Sequence, residues 1–212
     1  MDTDRLIKTL AADNALRAAP MQNAWAMAGF ASLIIATFVF FAAIGPRADF
    51  SAAAATPRFL FKFVITLTLL ATAFGALKAL ARPGASMRSA LPVLLVAPGL
   101  LLVAAGAEMM AVPADQLRDR WIGNNSLVCM TFIPLIGVGP LAVFLFALRH
   151  GAPTKPSLAG AIAGLASGGL AATFYAAHCT DDSPLFVATW YPLAIGLLAT
   201  AGAIAGRFYV RW

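Results

Sequence analysis

Six apolar runs, each long enough to cross a bilayer, dominate this chain. They fall at Asn23–Ile44, Phe59–Leu80, Ala90–Val112, Leu127–Leu148, Leu158–Ala177 and Val187–Gly206. About 30 Å of hydrocarbon takes about 20 helical residues, and every run meets that length. None carries a charge at its centre. Lipid offers no partner to a backbone N–H or C=O, so such runs must be helices or strands of a closed barrel. They lack the alternation and the ~10-residue length of barrel strands. The expectation is an all-α polytopic membrane protein with six transmembrane helices. Residues 1–21 form a short N-terminal amphipathic segment, and residues 22–212 form the bundle.

The composition excludes the alternatives. Of the 212 residues, 61% are apolar and 11% charged, against about 25% charged in a soluble domain. The net charge of +6 does not indicate nucleic-acid binding, because the basic residues are scattered between apolar runs and form no stripe. They act instead as topology signals. With the N-terminus inside, one side holds Arg5, Lys8, Arg17, Lys78, Arg82, Arg88, Arg149, Lys155, Arg207 and Arg211. The other holds Arg47, Arg58, Lys62, Arg118 and Arg120. That asymmetry puts both termini in the cytoplasm. Trp25, Trp121, Trp190 and Trp212 sit near span ends, where amphipathic rings belong. The first run follows about twenty residues that include Asp2, Asp4, Arg5, Lys8, Asp13 and Arg17, and it exceeds a ~7–15-residue signal core, so it reads as a span and not as a cleaved leader.

Small residues recur four apart at Gly160, Gly164 and Gly168, and again at Gly202 and Gly206. Such rows let helix backbones approach closely. Packing within the bundle is the expected use, and a dimer seam is the lesser reading. Pro98, Pro134, Pro140 and Pro192 fall within or near span interiors, where each removes one helix hydrogen bond. Glu108 lies about one turn from the outer end of the third span. An ionisable group there marks a functional position, or else snorkels outward.

The two cysteines carry the most information. Cys129 opens the fourth span and Cys179 follows the fifth, so fifty residues of sequence separate two thiols that the topology returns to the same outer face. Asn124, Asn125 or Ser126 is expected to cap the fourth span. Cys129 would then sit in its first turn, where the helix dipole favours a thiolate. Asp181 and Asp182 oppose thiolate formation at Cys179, which makes Cys129 the expected attacking sulfur. A disulfide, a thiol sensor or soft-metal site, and two inert buried thiols all fit this placement. A metal would draw on Cys129, Cys179, His178, Asp181 and Asp182, although His-Cys-x-Asp-Asp matches no strong ligand motif. At the other end, Leu6, Ile7 and Leu10 share one face of a short helix and must bury against lipid, the bundle or a partner.

Four features together resemble the NrsF-type membrane proteins over essentially the whole chain. They are the Thr-Asp-x-Leu-Ile-x-x-Leu-Ala opening at Thr3–Ala11, the six spans, the cysteine opening the fourth span, and the His178–Pro184 loop before Thr189-Trp190-Tyr191-Pro192. The resemblance implies an anti-sigma factor of the bacterial inner membrane. Such a protein holds an extracytoplasmic-function sigma factor at the cytoplasmic face and releases it under heavy-metal or oxidative stress. It implies that Cys129 and Cys179 detect the signal. Leu6, Ile7 and Leu10 match the family's opening segment, and sigma contact through them is our extension. The chain lacks the soluble zinc-binding domain of many other anti-sigma factors. The alternative is a small transporter or an ion- or metal-binding membrane protein, for which the spans offer little beyond Ser, Thr and Glu108. No pattern marks a catalytic site or calls for a cofactor. The expected surroundings are lipid bilayer and a sigma factor, with no direct nucleic-acid contact.

Overall fold

The computed structural model describes residues 3–9, 21–82 and 87–210. These residues are helical, with no strand among them. A short helix α1 covers 3–9. It is followed by α2 (Met21–Ala43), α3 (Phe50–Ala53), α4 (Pro57–Leu80), α5 (Met87–Leu94), α6 (Val96–Ala111), α7 (Ala114–Ile122), α8 (Ser126–Leu148), α9 (Pro156–Ala176) and α10 (Pro184–Tyr209). Six segments are long and apolar enough to span a membrane, as the sequence predicts. Exposed large apolar side chains such as Phe30, Phe38, Leu102, Val103, Phe146 and Ile204 cover the outside of the bundle. In water such a surface would aggregate, and in lipid it is the solvated face.

Local chemistry sets the helix ends. Three spans begin Xaa-Pro, with Pro57, Pro156 and Pro184 in the first turn. A first-turn proline forfeits no helix bond, and its fixed φ suits the turn. Thr56 and Ser183 cap two of these starts with their hydroxyls. At the end of α2, Gly45 adopts φ 64° and donates to the Phe40 carbonyl, after which Pro46 stops the helix. The third span is broken at Leu95, between α5 and α6. Pro98 explains the break: it has no N–H for the Leu94 carbonyl, and its ring crowds that carbonyl. The helix resumes where Gly99 donates to the Leu95 carbonyl, 2.9 Å away. By contrast α8 continues through Pro134 and Pro140, and α10 through Pro192.

Helix α9 is the centre of the bundle, packed on α4, α8 and α10 and more lightly on α2. Its small-residue row is used inside the molecule. A side chain on Gly160 would strike Gly202, one on Gly164 the Leu198–Ala199 backbone, and one on Gly206 the Pro156 carbonyl. The α9–α10 seam therefore runs backbone against backbone from one end of the bundle toward the other. Helices α4, α8 and α10 finish at the end marked by Ala81, Gly151 and Tyr209, where the Ala152 amide donates to the Ala81 carbonyl and Arg149 donates to the Tyr209 hydroxyl. The opposite end carries the polar structure described next.

The segment 113–126, expected to be a plain loop, contains the surface helix α7. Asp115 lies in its first turn and Arg120 in its last, each complementing the helix dipole. Trp121 and Trp190 meet at this end, where the Trp190 indole donates to the Trp121 carbonyl. Trp25 packs edge-on against Phe74 toward the other end. Trp212 and Leu10 lie outside the described residues.

Candidate functional site: a strapped loop over two thiols

The amides of His178 and Cys179 both donate to the Tyr175 carbonyl at 2.9 Å, which folds the chain back over the end of α9. Ser183 and Pro184 then begin α10. Residues 179–182 thus cross the bundle end as a tight lid, held down by three carboxylates.

Asp182 binds two cations. Its Oδ2 accepts from Arg47 at 3.0 Å, and its Oδ1 stands 2.6 Å from Lys62 Nζ. Lys62 lies one turn into α4 and is 1% exposed. The same two cations hold the Cys179 carbonyl, Lys62 at 2.8 Å and Arg47 at 3.4 Å. Both also sit over the Phe59 ring. Arg47 is anchored in turn by a two-bonded contact with Asp49 (2.6 and 2.7 Å) and by its own amide on the Ala177 carbonyl. The Asp49 contact and the Asp182 carboxylate hold the Arg47 guanidinium above its ordinary range. Arg47 likewise holds the Asp49 carboxyl below the usual carboxylate range.

The other two carboxylates cap helices from a distance. Asp181 Oδ2 accepts from the amides of Asn124 (3.0 Å) and Asn125 (2.8 Å) and from Asn125 Nδ2 (2.9 Å), so the lid caps α8. The expected cap from Asn124, Asn125 or Ser126 is corrected here. Asn125 occupies the cap position but makes no side-chain cap bond, because its amide group reaches Thr180 and Asp181. Glu108 neither snorkels nor stands free. Its side chain is 3% exposed. One oxygen meets Arg120 at 3.2 Å and Arg58 at 3.6 Å. The other accepts from the Ser183 hydroxyl (2.6 Å) and the Leu185 amide (3.1 Å) at the start of α10.

Beneath the lid lie the thiols. Cys129 and Cys179 are both unbridged and fully buried, members of one core cluster and near enough to interact electrostatically. Tyr175 and Tyr191 line the same niche with their rings edge-on, centroids 5.8 Å apart. The Tyr175 hydroxyl donates to the Asn125 carbonyl, and the Tyr191 hydroxyl has no hydrogen-bond partner among the described residues. Cys129 is the fourth helical residue of α8, and its amide already bonds the Asn125 carbonyl. It lies in the first turn of α8, as the sequence suggested, but buried and with its amide already bonded. Burial pushes the Cys179 thiol up, against the downward pull of the Lys62 cation.

The structure brings His178, Asp181, Asp182 and both cysteines to one bundle end but does not arrange them as a metal centre. Among the described residues no three His, Cys, Asp or Glu side chains stand in a metal-holding cluster. Their donors are engaged elsewhere: His178 Nδ1 pairs with the Gly45 carbonyl at 2.9 Å, Asp181 caps α8, and Asp182 binds the cations. Leu6 and Ile7 are exposed on α1, far along the chain from this site. Arg47, Lys62, Glu108 and Arg120 are the residues that sequence reasoning did not join to the loop. The available signal was a lysine one turn inside a span, which an apolar environment tolerates only when paired.

Fold and site together define a polytopic helical membrane protein whose polar chemistry is concentrated in a strapped loop over two buried thiols. The profile of a family described as NrsF, negative regulator of sigma F, matches residues 10–212. The chain is 34% identical to the anti-sigma-F factor NrsF of Caulobacter vibrioides and 31% identical to the probable anti-sigma-F factor NrsF of Azospira oryzae, in both cases over 100% of either chain. The chain belongs to the NrsF family, whose described role is regulatory. No solved structure matches it. The profile match begins after Leu6 and Ile7, whereas both relatives align through them.

Proposed function

We propose that this protein is a multi-pass anti-sigma factor of the bacterial inner membrane. It holds an extracytoplasmic-function sigma factor at the cytoplasmic face and releases it when heavy-metal or oxidative stress reaches Cys129 and Cys179 from the periplasmic side. The observation that carries this reading is end-to-end similarity to a protein named anti-sigma-F factor. Two features support the finer parts. Leu6 and Ile7 expose an apolar face on α1, which needs a partner. Both thiols share one niche, so a soft metal ion or a two-electron oxidant acting on either sulfur disturbs the packing of α8 against the lid.

The test is affinity capture of the tagged full-length protein from unstressed cells, with bound proteins identified by mass spectrometry. The expected result is a co-purifying sigma factor. It should be lost in Leu6→Glu/Ile7→Glu, and it should be retained under cadmium stress in Cys129→Ser/Cys179→Ser but not in the wild type. A wild-type preparation that carries no sigma factor overturns the reading. Stress release that persists in the double cysteine variant overturns the sensing part alone.

A further inference from the structure

We propose that Asp182, gripped by Lys62 and Arg47, is an ionic latch that closes the lid over the two thiols and sets how readily reagents reach them. The proposal deepens the sensing reading of the same site and rests on it for its biological use. Its chemistry stands on the latch alone.

Both sulfurs are fully buried, so any reagent needs the lid to lift. Three carboxylates hold the lid, and they differ in kind. Asp181 accepts from the amide groups of Asn124 and Asn125, and Glu108 accepts from the Ser183 hydroxyl and the Leu185 amide. For Asp181 these are bonds between a carboxylate and neutral donors, whereas Glu108, outside the lid, also pairs with Arg120. Of the two lid carboxylates, Asp181 and Asp182, it is Asp182 that is held by full charges. Those charges come from two separate elements: Lys62 from α4 and Arg47 from the turn after α2. The same cations bond the Cys179 carbonyl, so the residue whose thiol is shielded is the one the latch pins.

The latch is also reachable from water. The side chain of Asp182 is 23% exposed and that of Arg47 10%, while Lys62 is sealed at 1%. A partly wet ion pair is weakened by salt, because the screening length falls from ~10 Å at ~0.1 M to ~3 Å at ~1 M. Bonds to neutral donors respond far less. Thiol access should therefore rise with ionic strength if the ionic latch governs it and stay flat if apolar packing or the Asp181 cap does, and loss of the salt response in Asp182→Asn assigns that response to the latch and not to the Glu108–Arg120 pair.

The experiment uses full-length protein in lipid nanodiscs. N-ethylmaleimide is the probe, and labelling of Cys129 and Cys179 is resolved by peptide mass spectrometry. For the wild type, labelling of Cys179 should accelerate severalfold between ~0.1 M and ~1 M sodium chloride. Asp182→Asn should label about tenfold faster than wild type at low salt, the loss of one charge-assisted bond, and lose the salt dependence. Asp182→Glu keeps the charge and should keep the salt dependence. Salt-independent labelling of the wild type, or Asp182→Asn labelling at the wild-type rate, overturns the latch. If Asp182→Asn loses its helix content, the wild-type salt series and Asp182→Glu still decide. Sigma retention measured on the same samples separates the two proposals. A salt-sensitive, Asn-sensitive latch with retention indifferent to thiol modification removes the sensing reading and leaves the latch. Thiol-dependent release with salt-independent labelling does the reverse.

Discussion

Glu108 offers the sharpest test of how the lid end is built, because two substitutions there separate charge from shape. Glu108→Gln keeps an acceptor for the Ser183 hydroxyl and the Leu185 amide and loses only the charge. Arg58 is 55% exposed and 3.6 Å away, so that pair adds nothing measurable. Arg120 is 32% exposed and 3.2 Å away, and after screening its pair contributes about 0.5 kcal/mol. The carboxylate at the start of α10 adds about 0.5 kcal/mol through the helix dipole. Glu108→Gln should therefore destabilise the bundle by about 1 kcal/mol.

Glu108→Ala removes the acceptor as well. The Leu185 amide falls back on Ser183 Oγ alone, 3.2 Å away. The Ser183 hydroxyl loses its 2.6 Å acceptor, and the site no longer ties α6 to α10. Loss of charge-assisted bonds at a buried position adds about 2 kcal/mol, for a total of about 3 kcal/mol. Reversible unfolding of both variants in mixed micelles, followed by circular dichroism, measures the gap. If Gln destabilises as much as Ala, the ion pairs dominate and the capping account is wrong. If Ala lies within ~0.5 kcal/mol of wild type, Glu108 does not hold α10 at all. Ion flux in proteoliposomes is expected to be absent for wild type and Gln alike, since both oxygens of Glu108 are already bonded within the bundle.

Three further outcomes follow from packing. Gly164→Val should destabilise by about 2–3 kcal/mol, because its Cβ would meet the backbone of Leu198 and Ala199, which cannot rotate away. Gly196→Ala, on the facing helix α10 but with open space at its Cβ, should change stability by less than ~0.5 kcal/mol in the same unfolding assay. Tyr191→Phe deletes a buried hydroxyl without a partner and should be neutral or stabilising by up to ~1 kcal/mol. A clear loss of stability would mean that the hydroxyl is already bonded in the resting protein.

The spans were legible because lipid imposes one requirement on every residue in them, and a run of apolar side chains meets it without help from the rest of the fold. The Xaa-Pro starts at Thr56-Pro57 and Ser183-Pro184 are local signals too, but apolar runs counted from Phe59 and Val187 passed over them. The use of the glycine row as an internal seam was also readable, since its spacing permits close backbone approach whatever the partner. The caps were not. Asn124, Asn125 and Ser126 are the right residue types in the right place to cap α8, and yet an aspartate fifty-six residues away does it. Local pattern cannot foresee a cap donated by a lid whose position depends on two other helices. Lys62 was misread for a related reason. Counted among the topology charges, it reads as a surface residue, but it is buried under Asp182, and only tertiary contact reveals the pair.

This division bears on how a thiol event at one bundle end can be felt at the other. The lid joins α9 to α10 directly, and those two helices touch backbone to backbone at Gly160, Gly202 and Gly206, near the end where α9 begins and α10 finishes. A seam with no side chains between its backbones has little freedom to slide, because small displacements meet main-chain atoms and not flexible rotamers. Movement of the lid is therefore expected to carry α9 and α10 as one body against α4 and α8. The Ala152–Ala81 and Arg149–Tyr209 contacts at the far end lie across the boundaries of that body. Loosening the seam with Gly164→Val should then uncouple the ends: thiol labelling at the lid would proceed, while any response at the far end would be lost. Retention of that response in a folded Gly164→Val protein would place the coupling along α8 instead.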